Sequence, residues 1–274
     1  EFGLSAPLSN LLKMRSSGAE FIVSYDDRSN DFSWRLDVNT SFSKNKVLEM
    51  GSSERWIEGN AVTYLNDRYQ LPFGYEAEGL FQSEEDIKNH AKQGNVMPGN
   101  IKFKDQNGDN IINGDDRVVL NRKIPVNYGA NIRLGYKDFD FGINMYGVLN
   151  CKRYISGYEG WAFYLSQNAR PMHLDAWSET NRDASYPRLT LTNTSNDTRY
   201  NSFWLRNSAY LKIQNVQIGY TVPKDVLSKI SIQYLRVYLS GQNLATITGY
   251  DGFDPEGSWY PLSRTFSLGF NLQF

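Results

Sequence analysis

Sulfur and imidazole are scarce in this chain. Of its 274 residues one is cysteine, Cys151, and two are histidine, His90 and His173. A single thiol excludes a disulfide framework and any cysteine-rich zinc module, and Cys151 reads as inert. Two histidines leave no set for imidazole-based metal catalysis. Net charge is scarce as well: 29 Lys and Arg against 30 Asp and Glu give −1 at pH 7. A nucleic-acid binder needs a basic face that displaces counterions, so that partner class is excluded. The mean hydropathy is −0.54, and no apolar run approaches the ~18–20 residues of a membrane-spanning helix. The opening Glu1-Phe2-Gly3-Leu4 lacks the basic and apolar stretches of a secretion signal, so either a signal has been removed or the chain starts inside a longer one. No Gly-x-Ser-x-Gly elbow, phosphate loop, zinc-binding histidine pair or dinucleotide fingerprint is present. Glu84-Glu85-Asp86 reads as the acidic start of a short helix capped by Ser83, not as an acid/base pair. His173 and Asp175 read as loop residues. The chain is expected not to be an enzyme.

Aromatic residues, in contrast, are plentiful: 18 Tyr, 15 Phe and 6 Trp, 14% of the chain. Many fall in stretches of strict two-residue alternation, the pattern of a strand with one apolar and one polar face. In the last eleven residues Phe266, Leu268, Phe270, Leu272 and Phe274 share one face, and Thr265, Ser267, Gly269, Asn271 and Gln273 the other. The same pattern runs from Trp34 to Ser43, Ala130 to Tyr136, Phe139 to Met145 and Leu235 to Ser240, and begins at Phe21, Val23 and Tyr25. Between Asn207 and Tyr220 it switches phase, which predicts a bulge. Seven strands are expected, several about ten residues long, enough for a tilted strand to cross a bilayer. Strands that alternate in this way average to a polar hydropathy, so the hydropathy does not exclude a membrane β-barrel.

The connections alternate in length. Asp26–Asn30 and Lys137-Asp138 are short turns and Val222–Gln233 is moderate, whereas 44–125, 150–205 and 243–263 are long. Short periplasmic turns and long external loops characterise bacterial outer-membrane barrels, and loops of this size are improbable in a compact soluble domain. With a periplasmic C-terminus, all three long connections lie outside the cell. Seven strands cannot close a bacterial barrel, and an open edge in lipid is very unfavourable. The expected fold is therefore all-β, a transmembrane antiparallel β-barrel of which this chain is the C-terminal part or one chain of a split barrel.

Asn207-Ser-Ala-Tyr-Leu-Lys-Ile-Gln-Asn-Val-Gln-Ile-Gly-Tyr-Thr-Val-Pro223, Leu235-Arg-Val-Tyr-Leu-Ser-Gly-Gln-Asn-Leu244, Gly249-Tyr-Asp-Gly-Phe-Asp-Pro255 and the ending Tyr260–Phe274 resemble segments of the SusC/RagA-like TonB-dependent outer-membrane transporters. Tyr75–Gln82 and Pro98–Asp105 fit the same pattern. The resemblance covers most of the chain in the right order. It implies a barrel of about 22 strands filled by an N-terminal plug. It also implies a SusD-like surface lipoprotein as lid, energy from TonB, and uptake of oligosaccharides or, second, oligopeptides across the outer membrane of a Gram-negative bacterium.

One motif suggests metal chemistry. Asp105, Asn107, Asp109, the Ile111 carbonyl and Asp116 stand at positions 1, 3, 5, 7 and 12 of a calcium-type loop, a spacing that lets hard oxygen donors wrap one Ca²⁺. Position 12 is Asp rather than Glu and position 6 is Asn110 rather than Gly. The loop resembles dockerin-type calcium loops, which accept Asp at the end. A structural Ca²⁺ that pins a long loop is expected; the plain alternative is an Asp/Asn/Gly turn cluster.

Tyr154, Tyr158, Trp161, Phe163 and Trp177 crowd the second long connection, and Trp259 and Tyr260 lie in the third. Tyr158, Trp161, Trp177, Trp259 and Tyr260 are candidates to stack on sugar rings or touch a lid protein; an interfacial girdle or loop self-packing explains the same residues. Arg35, Asp37, Arg133 and Arg236 fall on polar strand faces, as a transporter lumen or any solvated sheet requires. The rival class is a soluble calcium-dependent β-sandwich that binds glycans.

Overall fold

The computed structural model describes residues 10–28, 31–191, 196–228, 232–257 and 262–274. Strands run in chain order β1 (Leu12–Asp27), β2 (Phe32–Met50), β3 (Arg55–Glu58), β4 (Ala61–Tyr64), β5 (Leu71–Tyr75), β6 (Ala77–Leu80), β7 (Ile101–Phe103), β8 (Arg117–Val119), β9 (Val126–Tyr136) and β10 (Phe139–Leu149). They continue as β11 (Lys152–Tyr154), β12 (Leu205–Asn207), β13 (Tyr210–Thr221), β14 (Tyr234–Thr248) and β15 (Thr265–Gln273). Among the described residues two short α-helices interrupt them, α1 (Glu84–Lys88) and α2 (Lys224–Leu227). The chain divides into two units: Glu1–Ser17, Lys44–Arg122 and Tyr154–Arg206 form one, and Gly18–Ser43, Lys123–Arg153 and Asn207–Phe274 the other.

The second unit is built on a seven-stranded sheet in the order β1-β2-β9-β10-β13-β14-β15. The pairings β2-β9, β9-β10, β10-β13, β13-β14 and β14-β15 are antiparallel. The order is the order along the chain, as in a meander whose successive strands are neighbours. β9 and β10 close through Lys137-Asp138, with Lys137 left-handed at φ 51°. Two-residue hairpins need such backbone at the turn.

Register carries the alternation across the whole sheet. On one face Trp34, Leu134, Phe141, Ile218, Leu239 and Leu268 sit side by side on six successive strands. Beside that row, at the Lys137-Asp138 end, lie Phe32, Tyr136, Phe139, Tyr220, Val237 and Phe270. This face is bare: Leu239 is 53%, Leu268 64% and Phe266 68% exposed. A sandwich would bury these side chains against a second sheet, so the soluble alternative finds no support. An apolar band edged by aromatic rings is how a barrel wall meets lipid and its interface. The expected phase switch is present: the β13–β14 register shifts between Ile213 and Asn215, and the β10–β13 register shifts at the same place. Against β10, Gln214 is the extra residue, and Lys212 and Asn215 thereby share the polar face.

The first unit shows that the expected long connections are not irregular. A four-stranded sheet β3-β4-β5-β8 packs Val62, Leu71 and Phe73 into a small core with Tyr64 and Val119. β6 pairs with β7. α1 begins as expected, with Ser83 accepting from the Asp86 N–H. Side chains substitute for missing ladder partners: buried Gln93 donates to the Ile101 carbonyl at 2.6 Å and accepts from the Phe103 N–H at 2.8 Å. The Asp197 carboxylate accepts from the Ile101 N–H at 2.8 Å and from Asn100 at 2.6 Å, and the Asp197 carbonyl accepts from the Trp204 indole at 2.7 Å. These bonds join the connections after β2 and β10 into one folded body.

Candidate functional site

The polar face of the seven-stranded sheet gathers hydrogen-bonding groups, neutral amides among them. Asp37, Asn131, Asn144, Asn215, Gln242 and Thr265 form a single row across β2, β9, β10, β13, β14 and β15. A cavity of about 720 Å³ opens along it, lined among others by Asn131, Arg133, Asn144, Asn215, Gln217 and Gln242. Most charge here is internally balanced. Arg35 pairs with Asp37 at 2.9 Å. Arg236 forks onto Asp140 at 2.8 and 2.5 Å, and with its amide oxygen turned inward Gln217 accepts from the same guanidinium. Arg133 has no ion-pair partner among the described residues. The Oδ1 of Asn215 is buried without a hydrogen-bond partner among the described residues. Such a surface offers donors and acceptors to hydroxyls and amides while presenting little net charge. The four charged residues named from sequence do lie on this face, but the amide row was not singled out, although every second residue of each strand was already legible.

The calcium-type loop is drawn tight by its own side chains. Asp105 accepts from the Gly108 and Asn110 N–H groups at 2.8 and 2.9 Å. Asn107 accepts from the Asp109 N–H at 3.0 Å and Asp109 from the Ile111 N–H at 2.8 Å. Asn110 takes the left-handed conformation at φ 62°, as its place in the loop demands. Asp116 is fully buried and accepts from the Gln106 and Asn113 N–H groups. Partial desolvation pushes the Asp105 carboxyl up, but the N–H groups of Asn110, Gly108, Asn107 and Asp109 outweigh it and hold the pKa below the ordinary value. The donors are all oxygen, as Ca²⁺ requires, and buried Asp116 has no cationic partner among the described residues. Against that, no group of three or more His, Cys, Asp or Glu side chains there is gathered as a metal cage.

The aromatic candidates separate. Tyr158 is exposed and meets Tyr164 edge-on at 5.2 Å, and Trp161 meets the same ring at 5.5 Å. Trp177 is only 5% exposed and donates its indole N–H to Gln82, which corrects the expectation of an available face: it packs inside the loop body. Trp259 and Tyr260 lie outside the described residues. His173 is likewise not a simple loop residue. It is 2% exposed, accepts the Arg170 N–H on Nδ1 at 2.9 Å and has its ring 4.6 Å from that of Tyr186. Burial lowers its pKa and pushes the Tyr186 phenol up to about 12.

One antiparallel sheet with a lipid-type face and a hydrogen-bonding face, its long connections folded into a separate body, defines the class: a wall section of a membrane β-barrel. The comparisons point to the same class. The chain is 28% identical over 306 residues to TonB-dependent receptor P3 of Formosa agariphila, covering 99% of this chain and 30% of the relative. It is 26% identical to TonB-dependent receptor P26 of the same bacterium, again over 99% of this chain and 30% of the relative. Its fold is similar to that of the RagAB peptide transporter, with a TM-score of 0.77 at 17% identity over 96% of this chain and 29% of that one. The RagAB peptide importer in the 'open-open' state gives 0.75 at 18% identity, over 96% and 29%. No family model matches. The resemblance to SusC/RagA-like TonB-dependent transporters holds in sequence and in fold, and the chain spans about 30% of the length of the curated relatives it matches.

Proposed function

We propose that this chain is the C-terminal wall of an outer-membrane TonB-dependent importer of oligosaccharides or, second, oligopeptides. The observation that carries the proposal is the two-faced register: an apolar band on one side and, on the other, a row of four amides and a hydroxyl that ends at the Arg35-paired Asp37. Neutral hydrogen bonds contribute only about 1 kcal/mol each. A row of them holds a chain of hydroxyls or peptide groups without trapping it, and import is then binding and release with no covalent step. The remaining strands and an N-terminal plug complete the barrel, TonB supplies energy through that plug, a SusD-like lipoprotein closes the outer mouth, and the C-terminus is periplasmic. The 1,3,5-type succession of side chains at Asp105, Asn107 and Asp109, together with buried Asp116, supports a structural Ca²⁺ held with the Ile111 carbonyl. Tyr158 and Trp161 are the aromatic faces offered to cargo or lid. The test is uptake of a panel of glycans and peptides by cells carrying the complete gene or lacking the segment that encodes this chain. Loss of uptake for some member supports the proposal; unchanged uptake across the panel overturns it.

A further inference from the structure

The connection between β14 and β15 is fastened to the polar face by one carboxylate. Asp254-Pro255-Glu256-Gly257 forms a β-turn closed by the Gly257 N–H donating to the Asp254 carbonyl at 3.0 Å. Asp at the first position, Pro at the second and Gly at the last suit a type I turn, and Gly257 at φ 98° occupies backbone that glycine favours. Asp254 is itself buried and accepts the Glu256 N–H at 2.8 Å. The turn therefore presents the Glu256 side chain in one orientation. Tyr146 on β10 and Tyr210 on β13 both donate their hydroxyls to its Oε1, at 2.6 and 2.9 Å. Lys212 on β13 forms an ion pair with its Oε2.

Lys212 decides how firm this fastening is. It is 2% exposed, and its ammonium lies 5.8 and 6.0 Å from the ring centroids of Tyr146 and Tyr210. Lifting the turn away would leave a cation among aromatic rings without the only acid with which it pairs among the described residues. Breaking a buried pair from one side is strongly unfavourable. Tyr146 is the register partner of Lys212 on the polar face, so the turn is docked on the same side as the amide row.

We infer that Glu256 is a positioning residue that keeps the Asp254–Gly257 turn docked on the barrel wall throughout transport, a fixed part of the mouth and not a moving lid. The inference rests on the import reading only in taking the polar face as the side along which cargo passes. Arg153 lies close against Gly257, and within the turn Glu256 is charge-balanced by Lys212.

The test is hydrogen exchange on the complete protein in detergent, read at the Glu256 and Gly257 amides without cargo. These amides are expected to exchange slowly, to exchange about a hundredfold faster in Glu256→Ala, and to fall between in Glu256→Gln, which keeps acceptors for both tyrosines. The β13–β14 ladder amides are expected to stay protected, which separates release of the turn from unfolding; where Glu256→Ala does not fold, Glu256→Gln and Lys212→Met carry the comparison. Protection is expected to persist when the purified C-terminal domain of TonB is added. Fast exchange in the parent protein, no change in the variants, or loss of protection on adding TonB would each overturn the inference. Because exchange is read without cargo, failure of uptake measurements would strike the import reading and leave this result standing.

Discussion

Arg236 on β14 reaches Asp140 on β10 by crossing the intervening strand at Gly219. A Cβ built on Gly219 would lie 2.4 Å from Arg236 Nη2 and 2.4 Å from Asp140 Oδ1. The ion pair thus depends on a side chain that is missing. Gly219→Ala is expected to push the flexible ends of the pair apart and cost about 0.5–1 kcal/mol, the worth of a part-exposed ion pair. Gly142, one strand away, has nothing within 4 Å of a built Cβ, so Gly142→Ala is the control and should cost far less. Urea midpoints of the refolded complete protein measure both.

The two faces predict opposite tolerance of charge. Leu268→Arg places a guanidinium in the apolar row and should cost about 2–4 kcal/mol if that row lies near the bilayer midplane. Ser267→Arg, the adjacent residue on the polar face, should be close to neutral. Folding yields into lipid vesicles across urea give the comparison, and equal effects would contradict the assignment of faces.

A Ca²⁺ that binds the folded loop stabilises it by mass action. Added Ca²⁺ is expected to slow proteolysis of the 105–116 segment, and a chelator to reverse it. Asp116→Ala should abolish the response, since it removes the buried position-12 carboxylate. A loop equally resistant with and without Ca²⁺ would establish it as a turn cluster sustained by its own hydrogen bonds.

His173 predicts how the loop body responds to acid. Burial lowers its pKa below the ordinary value, so the unfolded segment takes up a proton more readily than the folded one. Its contribution is intact above the unfolded value of about 6.5 and is lost as pH falls from there through the folded pKa. Protease nicking of the 150–205 segment should therefore accelerate on acidification. His173→Gln, which no longer titrates, should flatten that dependence.

Much of the wall was legible in sequence because a strand with one face in lipid alternates without exception from Phe266 to Phe274 or from Phe139 to Met145. The phase switch at Gln214 and the Ser83 cap were legible for the same local reason. β1 and β2 run further than the alternation suggested, to Leu12 and Met50, because Lys13, Arg15, Lys44 and Lys46 interrupt the apolar pattern without interrupting the backbone pairing. The fold of the long connections was not legible. Its strands are three to five residues long, and its joints are side-chain bonds such as Asp197 to Ile101, separated by 96 residues. The Asp254–Gly257 turn could be read locally, but the residues that grip Glu256 lie 44 to 110 positions away.

The central claim is that Phe266, Leu268 and Phe270 face lipid while Ser267, Gly269 and Asn271 face an aqueous interior. Single nitroxide labels placed in turn along 266–271 of the complete protein, reconstituted in bilayers, test it through collision with oxygen and with a water-soluble nickel chelate. Oxygen accessibility peaking at 266, 268 and 270, with the nickel signal peaking at 267, 269 and 271, is the predicted result. No two-residue period, or the opposite phase, would contradict the account.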